Sequence, residues 1–159
     1  MSVQVKTMEW QEKVRQMDEK ADAVIAGWSL GAFAANLLPP PFDTMAIGAV
    51  FAKLGADIGE VYGVTFNWGK LVDIGKVIGT GVGGVAAASY VGTGLLKWIP
   101  GVNVWVALLI QPPIVAAISY AAGNTFKNYY RIHITEGRDL TPDEIKEMAE
   151  SHFRGKIGN

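Results

Sequence analysis

The sequence predicts an all-α, membrane-associated bundle of about four apolar helices in two hairpins, followed by a short polar helix. Three observations carry this. Half of the 159 residues are apolar and only 18% are charged, against roughly 25% charged in an ordinary soluble domain. Three runs hold no charged residue at all: Ala23 to Phe42, Ile78 to Leu96 and Trp98 to Phe126. Ten of the 19 glycines and six of the seven prolines fall inside those runs, where they serve helix ends and close packing rather than disorder.

The first helix starts near Thr7 as a charged amphipathic segment with Trp10, Val14 and Met17, then turns apolar and ends at Leu38. Pro39-Pro40-Pro41 stops it, because prolines cannot supply helical donors. A second helix runs from about Phe42 to Tyr62, with Asp43 set to favour the positive N-terminal dipole. Gly63 ends it. The third spans about Trp68 to Trp98, and Ile99-Pro100-Gly101 makes a tight turn. The fourth covers about Val102 to Arg131 and is expected to kink at Pro112-Pro113. A last polar helix opens at Thr141, where Thr-Pro-Asp-Glu offers an N-cap, a first-turn proline and a capping-box Glu144.

The three uncharged runs are 20, 19 and 29 residues long, enough for a bilayer crossing each. If four helices cross, the termini and the 53–77 connection share one side. That side then holds every Lys and Arg except Lys97, and every acid except Asp43. The positive-inside tendency makes it cytoplasmic. The expected organisation is a charged amphipathic segment at 1–21, a hydrophobic helical membrane domain at 22–135, and a polar helix and tail at 136–159. No secretory h-region is visible near the start, which points to the cytoplasm or the cytoplasmic (inner) membrane with both termini cytoplasmic. A soluble bundle with a buried hairpin is the alternative. The second helix is the weak point, since Lys53, Asp57 and Glu60 shorten its apolar length.

The third helix reads Gly75, Gly79, Gly83, Ala87 at four-residue intervals. Small residues at this spacing let two backbones approach closely, whereas glycine in an aqueous helix costs about 1 kcal/mol against alanine. The fourth helix is the expected partner, through Ala107, Ala116, Ala117, Ala121 and Gly123; a second copy of the third helix is the rival. Two nucleotide motifs are decoys. Gly79 to Gly84 matches a dinucleotide fingerprint but lies inside a helix with no preceding strand. Gly63 to Lys70 resembles a phosphate loop with one residue too many and Leu71 where Ser or Thr belongs.

Asp43, Lys53, Asp57, Glu60 and Gln111 are the candidate ion-path or partner-contact residues, because charges at membrane depth usually mark pathways. Lys53, Asp57 and Glu60 share one helical face, so the plainer reading is a solvated polar face with Asp43 as a dipole cap. Gln111 is also placed to bond a carbonyl freed by the proline kink. Lys97 with Trp98, and Tyr120 with Tyr129 and Tyr130, stand where interfacial anchors are expected. Ser29, Ser89 and Ser119 are expected to bond back to their own helices. His133 and His152 fall in polar sequence and are expected to be solvated.

A net charge of −1 argues against nucleic acid, which needs a basic surface. The chain has no cysteine, so disulfides and thiolate metal sites are excluded. No nucleophile–base pair and no metal cluster is evident, so neither enzymatic activity nor a cofactor is expected.

Leu37-Leu38-Pro39-Pro40-Pro41-Phe42-Asp43, an apolar helix with Lys53, and Val61-Tyr62-Gly63-Val64 follow one another in this chain. Later come Leu95-Leu96-Lys97-Trp98-Ile99-Pro100-Gly101, Ser119-Tyr120-Ala121-Ala122-Gly123 and Gly137-Arg138-Asp139-Leu140-Thr141-Pro142-Asp143-Glu144-Ile145. In order and spacing these resemble the YcjF-like family of hydrophobic helical domains, often attached to Era-type GTPases, across about residues 22–153. The resemblance implies an all-helical, membrane-associated module with Pro39, Pro41, Asp43, Tyr62, Gly63, Pro100 and Gly101 at the family's recurrent positions. It implies no activity. This chain departs from the family in carrying no GTPase domain.

The leading expectation is a small helical membrane protein that contacts lipid and self-assembles, a homo-oligomeric scaffold or membrane partner of cytosolic proteins. An oligomeric ion channel or small-solute pore is the second. The third is a soluble adaptor for a separate GTPase.

Overall fold

The computed structural model describes residues 3–29, 44–90 and 112–157, and every element among them is helical. In chain order these are α1 (Val3–Gly27), α2 (Thr44–Tyr62), α3 (Trp68–Tyr90), α4 (Pro112–Glu136) and α5 (Pro142–Ile157). The expected polyproline stop, the Pro100-Gly101 turn, Asp43 and Gln111 lie outside the described residues.

α2 forms because Ile47, Val50, Phe51, Leu54, Ile58 and Tyr62, all buried, recur at three- and four-residue intervals. It stops at Gly63, whose φ is +69°, a conformation only glycine adopts freely. The Gly63 amide donates to the Glu60 carbonyl at 3.3 Å and the Val64 amide to the Gly59 carbonyl at 3.0 Å, the paired bonds of a Schellman cap. Five residues later α3 is under way, with Asn67 as its N-cap: its side-chain oxygen accepts from the Lys70 amide at 2.8 Å. So short a link makes α2 and α3 antiparallel neighbours, and they form the most extensive helix pair of the bundle.

The glycines of α3 therefore meet α2, which corrects the expected partner. A Cβ on Gly75 would lie 2.5 Å from the Gly48 carbonyl oxygen. Among the described residues α3 and α4 touch only slightly. One level up, Gly81 faces α5, where an added Cβ would be 3.0 Å from the Lys146 carbonyl oxygen. Gly79 is buried and Gly83 half-buried, while Gly84 opens on free space. The glycines of α3 thus serve two neighbours: Gly75, in the stripe, meets α2, and Gly81, outside it, meets α5. Ala87 lies on α3, but its side chain falls outside the described set.

α4 runs five residues past the expected Arg131, to Glu136, and ends at Gly137 (φ +69°). Its buried side is Ala117, Ile118, Ala121, Ala122, Phe126, Tyr129 and Tyr130. Tyr129 and Tyr130 are core residues, not the interfacial anchors expected, because their rings stack beneath α2 and the following loop. Tyr130 lies 6.0 Å from Tyr62 and 5.2 Å from Phe66, centroid to centroid.

α5 begins with the expected capping box: the Glu144 amide donates to Thr141 Oγ1 at 3.2 Å, and the Thr141 amide to Glu144 Oε1 at 3.1 Å. It is more than a polar tail. Ile145, Ala149 and Phe153 are buried, and the helix lies across α3 and α4.

α1 is divided. Ala21, Ile25 and Trp28 are buried, and Ile25 fits against Gly123 of α4, where a Cβ would approach it to 2.5 Å. Residues 6–13 are all exposed, so about three turns project beyond the bundle, about 16 Å counting from Val3. Among the described residues no helix is long and apolar enough to cross a membrane. Each of the three uncharged runs extends into residues outside that set.

Candidate functional site

Helix directions give the bundle two chemically different ends. Asp18 of α1 meets Tyr62 of α2 and Arg131 of α4, whereas Ser29 of α1 lines a cleft with Ala116 and Tyr120 of α4. α1 and α4 are thus antiparallel. α2 descends from Thr44 to the Gly63 turn and α3 climbs back from it. The C-terminal ends of α1 and α3 and the N-terminal ends of α2 and α4 therefore lie at one end. These four ends border segments 30–43 and 91–111, whose only charged residues are Asp43 and Lys97.

The opposite end is polar and tightly bonded. Tyr62 donates its hydroxyl to Asp18 Oδ1 at 2.6 Å, and Arg131 donates to Asp18 Oδ2 at 3.3 Å. Burial, and then the Asp18 carboxylate, push the Tyr62 phenol well above its usual range. A second cluster joins Lys70 Nζ to Asp139 Oδ2 at 3.0 Å and Asp139 Oδ1 to His133 Nδ1 at 3.0 Å. The Lys70 ammonium also sits 3.9 Å from the centre of the Phe66 ring. Hydrogen bonding to Lys70 first, and then to His133, holds the Asp139 carboxyl below the ordinary value. These clusters tie loops and helix ends together. Among the described residues no group of His, Asp or Glu could hold a metal ion.

Beside the charge-poor end, α1, α4 and α5 enclose a cleft of about 600 Å³. Its walls are Ile25, Ala26, Ala116 and the ring of Tyr120, with Asn124 and Ser29. Three charges stand around it. Lys127, only 15% exposed at its side chain, donates to Asp22 at 2.8 Å. Lys156 lies 4.6 Å from the centre of the Tyr120 ring. His152 stands behind Tyr120, edge to face at 6.1 Å, with its Nε2 3.1 Å from the Asn128 amide nitrogen. Burial, with some contribution from Lys127, pulls the His152 imidazole below its ordinary value. Neither histidine is simply solvated, as the polar sequence around them had suggested; each has found a partner from another segment.

The residues singled out from sequence are scattered. Lys53, Asp57 and Glu60 are exposed along one face of α2. None lines the cleft. Asp57 accepts a 2.9 Å bond from Trp28 Nε1, a link between α1 and α2 that helical spacing alone does not reveal. Asp43 and Gln111 lie outside the described residues. Tyr62 and Gly63 occupy the α2 cap. Ser29 bonds back to the Ile25 carbonyl at 2.9 Å as expected. Ser119 does not: its hydroxyl is fully buried with no hydrogen-bond partner. Ser89 has no described side chain. The cleft residues escaped sequence reasoning because Asp22 and Lys127 are 105 positions apart. The one legible signal was the pair Lys127 and Lys156 just after apolar or amphipathic stretches.

No family model and no solved structure matches the chain. It is similar to magnetosome membrane protein 22 of Magnetospirillum gryphiswaldense, with 32% identity over 144 residues, which cover 87% of this chain and 72% of the relative. At that identity and coverage the chain belongs to the magnetosome membrane protein 22 family.

Proposed function

We propose that this protein is a membrane-associated helical scaffold, held in a bilayer at its charge-poor end and presenting the opposite end to the aqueous phase. The observation that carries the reading is geometric. Four helix ends gather at one end of the bundle, and the segments they border hold two charged residues between them. Segments so poor in charge favour transfer into lipid, at about 25 cal/mol per Å² of apolar surface buried. The relative's name, a magnetosome membrane protein, supports a bilayer as the place of action. The proposed side for both termini is the cytoplasmic one, from the bias of Lys and Arg.

Assembly is the second half of the proposal. On α1, Trp10, Val14, Met17, Ala21, Val24 and Trp28 recur at alternating spacings of four and three, the seam of a coiled coil. The bundle covers Ala21 and Trp28, while Trp10 is 41% exposed. The seam therefore runs on past its own partners. Lys6, Lys13 and Lys20 flank it on one side, and Gln4, Gln11 and Asp18 on the other. Two copies side by side in one membrane would pair these arms in parallel, lysine flank against glutamine and aspartate flank; an antiparallel pair would set lysine against lysine. A cytosolic partner, a separate GTPase included, would meet the same aqueous end.

Alkaline carbonate extraction of membranes followed by size measurement in detergent tests both halves. The reading expects the chain to stay in the membrane pellet and to run larger than 17.1 kDa after allowing for detergent. Release into the carbonate supernatant removes the bilayer half, and a strict monomer removes the assembly half.

A further inference from the structure

We propose that the cleft between α1, α4 and α5 binds one anionic phospholipid, with its phosphodiester between Lys127 and Lys156 and its first methylenes against Ile25, Ala26, Ala116 and Tyr120. The inference rests on the membrane reading, because it places the cleft beside the end that meets lipid. Three independent features favour this occupant. The volume, about 600 Å³, lies within the roughly 300–1,000 Å³ of small-ligand sites. The lining is apolar on its walls, and its charged residues are two lysines and Asp22, a net cationic edge beside an apolar wall that matches a lipid headgroup joined to its chains. Asp22 offsets one lysine, so the cleft keeps one positive charge, matching a singly charged phosphodiester.

The donors are free to serve it. Lys127 gives one N–H to Asp22, and an ammonium has three. Lys156 is exposed and rests over the Tyr120 ring, a contact that a phosphate oxygen can replace at little cost. Asn124 and Ser29 are already turned back to the Tyr120 and Ile25 carbonyls, so they shape the wall rather than hold the anion.

The test uses the intact chain and monomeric, short-chain lipid, so that it does not require membrane insertion. Dihexanoyl phosphatidylglycerol, below its micelle concentration, is titrated against the protein by calorimetry or amide chemical shifts. Dihexanoyl phosphatidylcholine and inorganic phosphate are the comparison arms. The expected result is saturable binding of the glycerol lipid, at least about tenfold tighter than of the other two, the worth of one charge-assisted hydrogen bond. Lys156→Glu removes a cation and Ala26→Trp fills the cleft from an exposed position; each should weaken binding by about tenfold or more. Lys146→Glu, an exposed residue of α5 outside the cleft, should leave it unchanged. Equal binding of the choline lipid, competition by phosphate alone at the same strength, or no saturable binding overturns the proposal. Its failure is separable from that of the membrane reading, since carbonate extraction answers the latter without the short-chain lipid.

Discussion

Tyr130 donates its hydroxyl to the Gly55 carbonyl across 2.8 Å, fixing α4 against α2 at a point where α2 has no side chain. Gly55 and Gly59 leave room for Phe126 and Tyr130. A Cβ on Gly55 would lie 2.6 Å from Phe126 Cζ, and one on Gly59 2.8 Å from the Tyr130 hydroxyl oxygen. Both rings are fully buried and have nowhere to move.

Gly55→Ala and Gly59→Ala should each lower stability by roughly 1–3 kcal/mol, the cost of overpacking a core. Tyr130→Phe should cost about 1 kcal/mol, the net value of a buried hydrogen bond. Denaturant melts of each variant are the check, and wild-type midpoints for both glycine variants would refute the close contact.

Gly84→Ala should do the reverse. Gly84 is a helical glycine with open space around it, so alanine adds helix propensity and should raise stability by up to about 1 kcal/mol. The same melts read it. A fall in midpoint would mean that some neighbour occupies that space.

His152 makes stability pH-dependent. Burial depresses its folded value below the reference of 6.5, so the unfolded chain binds more protons in that window. Stability from this group is complete above about pH 6.5 and is lost as the pH falls toward the folded value. His152→Gln should flatten that part of the profile. Melts from about pH 5 to 8, the range over which histidine titrates, compare the two proteins.

The absence of cysteine makes the α1 arm easy to map. In a parallel pair, Val14→Cys and Val3→Cys should each form a disulfide-linked dimer with itself, while Glu12→Cys, on the opposite face, should not. Cross-linking only between Val3→Cys and Val14→Cys in a mixed sample would show an antiparallel arm instead.

What was legible in the sequence was local. Gly63 at a left-handed cap, Thr141 with Glu144, and the start of α3 at Trp68 are each set by residues within one helical turn. What was not legible needed two surfaces at once. The Gly75 stripe announces a close approach but does not name its partner; the clue was Gly48 on α2, the neighbour that a five-residue link joins to α3. Tyr129 and Tyr130 look like interfacial aromatics until Phe66 and Tyr62 are placed over them. The cleft has no local signature, since three helices distant in sequence build it.

The central claim is that one end of the bundle meets lipid and the other does not. The five tryptophans allow a direct measurement: quenching by brominated phospholipid in variants that each keep one of them. Trp98 and Trp105 belong to the charge-poor segments, whereas Trp10 and Trp68, 41% and 51% exposed, mark the aqueous end. Strong quenching of Trp98 and Trp105 with little or none of Trp10 and Trp68 is the result expected. Quenching of Trp10 or Trp68 as strong as that of Trp105, or no quenching of any, would contradict the account.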